Sequence, residues 1–155
     1  MKRYILLLIG FLSITLTAQD ATKPDNDWFY ANYLEIMSPI RNSEVQADSQ
    51  LQILLALYDR YQEDKLLGPQ YLLFLAEAFT YHTEQTFEKL AVEKPELFNR
   101  FCNSLPAMVA EEDCDANELL IEFKESTLVN IASMEVKVNA EEHLNMLKDA
   151  LAVIP

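Results

Sequence analysis

Glycine is almost missing from this 155-residue chain, and its scarcity limits the folds open to it. Only Gly10 and Gly68 occur, and Gly10 lies in an apolar run near the N-terminus. A β-sandwich needs many tight turns, which use glycine where other residues fit poorly. Leucine, alanine, glutamate, glutamine and lysine, which favour helices, are frequent instead. The sequence therefore predicts an all-α protein.

Apolar residues recur at intervals of three and four, as expected for helices that bury one face. The segment 70–92 is apolar on nearly all sides in its first half, so we expect it to form the central, most buried helix. The other apolar stripes are Phe29, Tyr33 and Ile36; Ala47, Leu51, Leu54, Tyr58 and Tyr61; Leu97, Phe98, Phe101, Cys102 and Leu105; Leu119, Leu120, Phe123, Ile131 and Met134; and Leu144, Leu147, Leu151 and Ile154.

Proline and glycine mark the expected helix ends. Pro39 is expected to end or kink the first helix, and Pro106 to close a helix that opens at Pro95. Gly68 suits the position after one helix, and Pro69 suits the first turn of the next. We therefore predict about six helices, arranged as a single-domain bundle or as stacked helical hairpins, with one disulfide.

The first 18 residues have the pattern of a secretory signal peptide. Lys2 and Arg3 precede an apolar run over 4–16, and polarity returns after Ala18. The run is shorter than the roughly 20 residues that a membrane-spanning helix needs. We expect cleavage after Ala18, which leaves one helical domain over 19–155 in the periplasm or outside the cell, without stable membrane insertion. An uncleaved N-terminal anchor is the alternative.

The mature chain is strongly acidic. The leader removes two of the 12 basic residues and none of the 25 acidic ones, which leaves a net charge of −15 with neutral histidines. Nucleic acids require clustered lysine and arginine, and anionic membranes also attract basic segments. The charge therefore argues against both kinds of partner. It fits either a cationic protein or a well-solvated surface.

Cys102 and Cys114 are the two cysteines of the chain. In an oxidising compartment they allow a single pairing, and their spacing suits the end of one helix bridged to the start of the next. Closing such a loop would contribute ~3 kcal/mol in the chain-entropy picture. Two cysteines without a nearby histidine do not make a metal site. We therefore predict a structural disulfide.

Catalytic and cofactor-binding motifs are missing from the sequence. A nucleophile elbow and the phosphate-binding loops both need several glycines, and the mature chain has only Gly68. Carboxylate pairs such as Glu122 and Glu125 could lie close enough for glycosidase chemistry, but a solvated acidic face explains them as well. We therefore predict a protein that is not an enzyme, with no catalytic residue, cofactor or bound metal.

The two histidines do not form a recognisable site. His82-Thr83-Glu84 has the H-x-E order of zinc deaminases, but the later cysteine pair of those enzymes is missing. We interpret His82 as a hydrogen-bonded histidine at the boundary of the core. His143 is expected to face solvent near the start of the last helix.

Acidic residues concentrate over 111–118. The D-x-D-x-N order resembles the start of an EF-hand loop, but Glu118 replaces its glycine and Lys124 its bidentate glutamate, which argues against calcium. Acids near a helix N-terminus also complement the helix dipole. The alternative is a loop, tethered by the disulfide, that docks into a cationic groove. Its candidate partner-binding residues are Glu111, Glu112, Asp113 and Asp115.

Four aromatic residues, Trp28, Phe29, Tyr30 and Tyr33, follow the leader closely. Aromatic side chains are common at protein interfaces. A helix that docks its aromatic face onto the rest of the bundle explains them too, and we favour that interpretation.

Together these features favour a non-catalytic protein of the cell envelope or secretions that binds another protein. A cationic toxin or wall-cutting enzyme, which the protein would inhibit or confer immunity against, fits the charge. Two alternatives stay open. One is a carrier that holds a small hydrophobic ligand between its helices, and the other is a hydrolase that uses carboxylates.

Overall fold

A computed structural model describes residues 24–42, 47–109, 114–134 and 140–155, with only the backbone of 114–116. All regular elements in these ranges are helical, which confirms the all-α prediction. The predicted leader lies outside the described residues. The elements are α1 (Asn26–Ala31), α2 (Tyr33–Arg41), α3 (Ala47–Tyr61), α4 (Leu67–Phe87) with a π-helical turn (Glu88–Val92) that continues it, α5 (Pro95–Val109), α6 (Cys114–Ser133) and α7 (Glu141–Ala152).

Helix α4 lies at the centre of the bundle. It packs against α2, α3 and α6, and the π-helical turn that follows it packs against α5, which in turn holds α7. The first part of α4 is buried on several sides, through Tyr71, Leu72, Leu75 and Phe79. A helix that is apolar almost all round is stable only when neighbours surround it. The prediction that this helix is central is confirmed.

Aromatic rings connect the helices in two networks. In the first, Phe29 contacts Tyr33, Tyr71 and Phe74 with ring centroids 5.7, 5.2 and 5.3 Å away. The second network surrounds Phe101, whose ring lies 5.4 Å from Phe79, 6.0 Å from Phe123 and 6.4 Å from Tyr58. Most of these pairs are edge-to-face or tilted, which the charge distribution of the rings favours. The rings therefore tie α3, α4, α5 and α6 together.

The predicted first helix is in fact two helices that meet at Asn32. Asp25 caps α1 by accepting a hydrogen bond from the Trp28 amide at 2.8 Å. The Asn32 side chain donates to the Trp28 carbonyl at 2.8 Å, which offers the backbone an alternative to the helical pattern. Pro39 does not end the second helix, because α2 continues to Arg41.

The predicted stop at Pro106 is wrong as well. Helix α5 passes through Pro106 and ends at Val109. Leu105 and Met108, on either side of the proline, are both buried. Burial of these neighbours holds the last turn in helical geometry although proline contributes no amide hydrogen.

Gly68 lies within the first turn of α4 rather than after a helix. A Cβ atom at this position would lie 2.8 Å from the carbonyl oxygen of Gln62 and 3.0 Å from that of Tyr61. The close approach of the end of α3 therefore requires glycine. No helix in the described ranges combines the length and apolar character needed to cross a bilayer.

Candidate functional site

The predicted acidic docking loop falls mainly outside the described residues. Glu111, Glu112 and Asp113 are not described. Asp115 lies in the first turn of α6, where only the backbone is described. The role of these four residues stays a prediction.

Cys102 lies on the buried face of α5 and has no disulfide partner among the side chains that the structure describes. Burial raises the pKa of this thiol to about 12, because the charged thiolate would lose its hydration. Cys114 opens α6, but its side chain is not among those described. The disulfide therefore remains a prediction.

Helix α4 is kinked at His82, where φ is −136° and ψ is 53°. Two threonine hydroxyls bond to main-chain oxygens on the N-terminal side of the kink. Thr83 Oγ1 donates to the carbonyl oxygen of Phe79 at 2.7 Å, and Thr86 Oγ1 donates to that of Ala78 at 3.2 Å. Kinks arise where side chains enter the hydrogen-bond ladder of a helix. The two threonines therefore account for the irregular course of α4.

The imidazole of His82 connects α4 to α2. Its Nε2 lies 2.9 Å from the carbonyl oxygen of Ile40, and the side chain is half-buried. A carbonyl oxygen only accepts hydrogen bonds, so Nε2 carries the hydrogen. The interpretation of His82 as a hydrogen-bonded histidine at the core boundary is confirmed.

A polar cleft of about 520 Å³ opens where the kinked part of α4 faces the end of α6. Helix α4 contributes Tyr81, His82 and Gln85, and α6 contributes Asn130 and Ser133. The π-helical turn begins directly after this part of α4. Irregular turns of this kind are frequent at functional sites. This cleft is the candidate functional site of the molecule.

Hydrogen bonds across the bundle fix the walls of the cleft. Asn130 Nδ2 donates to Thr83 Oγ1 at 2.9 Å, which joins α6 to α4. Gln85 Nε2 donates to Asp48 Oδ1 at 3.0 Å, which joins α4 to α3. Side chains locked by such bonds hold a site in a fixed shape.

Several basic side chains are engaged within the fold. Arg41 bonds Glu77 at 2.6 Å, and this hydrogen bond raises the pKa of the guanidinium. Lys89 bonds Asp48 at 2.8 Å, which raises the lysine pKa and lowers that of the carboxyl. Lys124 donates to the main-chain oxygen of Ile154 at 2.6 Å. Two of these three side chains pair with carboxylates, and exposed carboxylates remain on most of the helices.

The aromatic segment after the leader divides between core and surface. Phe29 is fully buried and Tyr33 is half-buried, as the docking interpretation predicts. Trp28 and Tyr30, however, are 40% and 44% exposed. Two of the four aromatic rings, one on α1 and one on α2, therefore pack into the bundle.

Other predicted residues lie apart from the cleft. His143 does not face solvent: it is half-buried, and its ring lies edge-on to Phe98 at 5.5 Å. Glu122 and Glu125 are exposed on α6, as expected for a solvated face. Among the described residues, no three histidine, cysteine or acidic side chains are placed to hold a metal ion.

The sequence contains only a faint signal of the cleft, namely the polar run 82–86 that follows the largely apolar first half of α4. The partners of these residues lie on other helices, and no periodicity indicates them. Comparisons with protein-family models, with curated proteins and with solved structures find no match to this chain. Its function is therefore argued from its own residues.

Proposed function

We propose that this protein is an exported, non-catalytic module that binds a cationic protein. The observation that carries the proposal is the excess of acidic over basic residues, 25 against 12, together with the exposure of carboxylates on most helices. Arg41, Lys89 and Lys124 are engaged with groups of the fold itself. Exposed carboxylates occur on most helices, for example Asp27, Glu35, Glu96, Glu122, Glu141 and Asp149.

A surface of this kind attracts a positively charged partner over several ångströms before contact. Complementary charge chiefly raises the association rate and disfavours partners of the same sign. An inhibitor or immunity protein needs fast capture of its target, and toxins and wall-cutting enzymes with basic surfaces fit such a role. We propose this as the sharper form of the function.

Two sequence predictions belong to the same proposal. The leader over 1–18 would deliver the protein to the periplasm or the medium. The pairing of Cys102 with Cys114 would tether the intervening acidic segment, which lowers the entropy cost of docking. Mass spectrometry of the non-reduced exported protein tests both, since cleavage after Ala18 and loss of two hydrogens each change the mass.

The decisive experiment is capture of envelope and secreted proteins on immobilised exported protein, at low and high salt. We expect a basic protein that is retained at low salt and released as salt screens the charges. Surface plasmon resonance on that protein then gives its association rate. A partner that is neutral, or retained equally at high salt, contradicts the proposal. An apolar molecule that copurifies in native mass spectrometry would favour the carrier instead.

Charge reversal in the acidic loop sharpens the test. Glu111→Lys combined with Asp113→Lys is expected to slow association with the captured protein severalfold, because long-range attraction is replaced by repulsion. Glu122→Lys combined with Glu125→Lys is the matched control, with the same change of charge at two exposed positions of α6. Equal effects of both pairs would show that net charge, rather than the loop, guides the encounter.

A further inference from the structure

Two polar side chains of the cleft, Ser133 and His82, donate a hydrogen bond to the protein itself. Ser133 Oγ donates to the carbonyl oxygen of Asn130 at 3.0 Å, and His82 Nε2 donates to that of Ile40 at 2.9 Å. Carbonyl oxygens have no hydrogen to give, so the direction of both bonds is fixed. What these two side chains can still offer a ligand is an acceptor: the Ser133 oxygen and Nδ1 of a neutral His82.

The rule that each acceptor must face a donor also fixes the orientation of the two side-chain amides of the cleft, those of Asn130 and Gln85. Thr83 Oγ1 gives its hydrogen to the Phe79 carbonyl, so it can only accept from Asn130. The Asn130 amino group must therefore point at Thr83, and its oxygen points away from that contact. Gln85 likewise points its amino group at the carboxylate of Asp48. Each amide thus turns its oxygen away from that contact as an acceptor for a ligand, and its amino group keeps one further hydrogen.

Two carboxylates add negative charge to this set of acceptors. Glu84 and Glu88 lie one helical turn apart and both line the cleft. Both residues are exposed, so an incoming group can reach the rim of the cleft from solvent. The volume of about 520 Å³ lies within the range of ordinary small-ligand sites. The cleft is thus an anionic cavity rich in hydrogen-bond acceptors, and hydrogen bonds between helices hold its walls in place.

We propose that this cleft binds a cation rich in N–H donors, a guanidinium or a primary ammonium group. Such a group matches both the charge of Glu84 and Glu88 and the acceptors of His82, Asn130 and Ser133. A planar guanidinium offers five donors in a fixed fork, which suits several converging acceptors. Where the cation is a side chain of a partner protein, the inference rests on the proposed function and assigns its recognition site. A free amine is the other source of the same chemistry.

The test is a titration of isotope-labelled protein, purified as cells export it, followed by two-dimensional NMR. The probes are the peptide acetyl-Arg-Gly-Arg-amide and, separately, arginine amide. We expect saturable shifts of the amide signals over 81–88 and 130–134. Tighter binding of the peptide would point to a protein partner, and equal affinities to a free cation. Tetramethylammonium carries the charge without N–H donors and is expected not to compete.

Two matched variants locate the site. Glu84→Gln combined with Glu88→Gln is expected to weaken peptide binding by about tenfold or more, because charge-assisted hydrogen bonds are replaced by neutral ones. Glu118→Gln combined with Glu122→Gln removes the same charge at the same spacing on α6 and is expected to leave the affinity within about twofold.

Three results would overturn the inference: no saturation by the peptide, equal weakening in both variants, or competition by tetramethylammonium at similar concentration. Each would show that the cleft does not recognise N–H donors. None would overturn the proposed function, which fails only if salt-sensitive capture of a basic protein fails. The two proposals are thus separable.

Discussion

The two parts of α4 fill the centre of the bundle in different ways. The first part, 67–80, which we call the packed half, buries apolar and aromatic side chains against α2, α3 and α6. The second part, 81–87, which we call the polar half, places hydroxyl, imidazole and amide groups against carbonyl oxygens and other side chains. One continuous helix therefore passes from ring packing to hydrogen bonding at His82.

The difference shows what each kind of contact requires of the backbone. The burial of apolar surface is non-directional, so a regular helix accommodates it. Buried polar groups need partners at defined distances and angles, and α4 bends where they are satisfied. In the packed half the side chains fill space, whereas in the polar half they open a cleft. The candidate site lies in the polar half, where buried polar groups need hydrogen-bond partners at defined distances and angles.

The largest expected effect is the loss of a ring from the packed half. Phe79 is fully buried between Phe101 and Phe123, with centroids 5.4 and 5.7 Å away. Phe79→Ala should lower the free energy of unfolding by about 3–5 kcal/mol, since the removed ring leaves a cavity among rigid neighbours. Urea unfolding followed by circular dichroism measures it. Leu34→Ala, at a residue that is 74% exposed, is the control and should change stability by less than about 0.5 kcal/mol. A similar loss in both variants would contradict the description of the packed half.

The helices that surround the packed half were largely predictable from the sequence, because apolar residues recur along them at helical spacing. Ala47, Leu51, Leu54 and Tyr58 recur at helical spacing, and all four are buried. The scarcity of glycine and the apolar first half of α4 likewise indicated the fold class and the central helix. Burial of a helix face depends on the spacing of apolar residues along the chain, which is visible in the sequence.

The start of α5 at Pro95 was predicted correctly, but the helix ends expected at Pro39 and Pro106 were wrong and the cleft was not predicted, because these features depend on contacts distant in sequence. Helix α5 continues through Pro106 because the nearby residues Leu105 and Met108 are buried. The cleft depends on Asn130 meeting Thr83, 47 residues away along the chain. Without knowledge of this contact, the sequence shows only the polar run 82–86 after the largely apolar first half of α4. Local propensity is overridden wherever such contacts form.

The second prediction concerns pH and the neighbourhood of the packed half. Burial raises the pKa of Tyr58 from 10.0 to about 12, since the phenolate would be poorly hydrated beside Phe101. The neutral phenol therefore stabilises the fold below pH ~10, and this contribution is lost as the pH rises from about 10 to 12. The loss is on the order of 2–3 kcal/mol. Urea midpoints at pH 9, 10 and 11 measure it.

Tyr58→Phe is the control for this pH dependence. The variant keeps the ring and the other six tyrosines, so the difference between the two proteins isolates one phenol. The alkaline loss of stability should be smaller in the variant. The same loss in both proteins would show that Tyr58 titrates normally, and that the packed half is more open to water than its burial implies.

The smallest effects come from the buried threonines, which test whether hydrogen bonds rather than packing hold the polar half. Thr86→Val removes the donor to the buried Ala78 carbonyl and should lower the free energy of unfolding by about 1–3 kcal/mol. Thr127, on α6, is also fully buried, but its hydroxyl has no hydrogen-bond partner among the described residues. Thr127→Val should therefore leave stability unchanged or raise it by up to about 1 kcal/mol, because an unpaired polar atom is removed from the core.

The comparison of Thr86→Val with Thr127→Val is informative because neither substitution changes the side-chain shape or the helix propensity much. Valine and threonine have nearly the same volume, and both are branched at Cβ, so the two substitutions differ mainly in whether a bond is lost. Opposite signs in urea unfolding would show that the Thr86 hydrogen bond, rather than side-chain shape, stabilises the polar half. Equal losses would mean that threonine packs better than valine at both positions, and the polar half would then differ from the packed half only in composition.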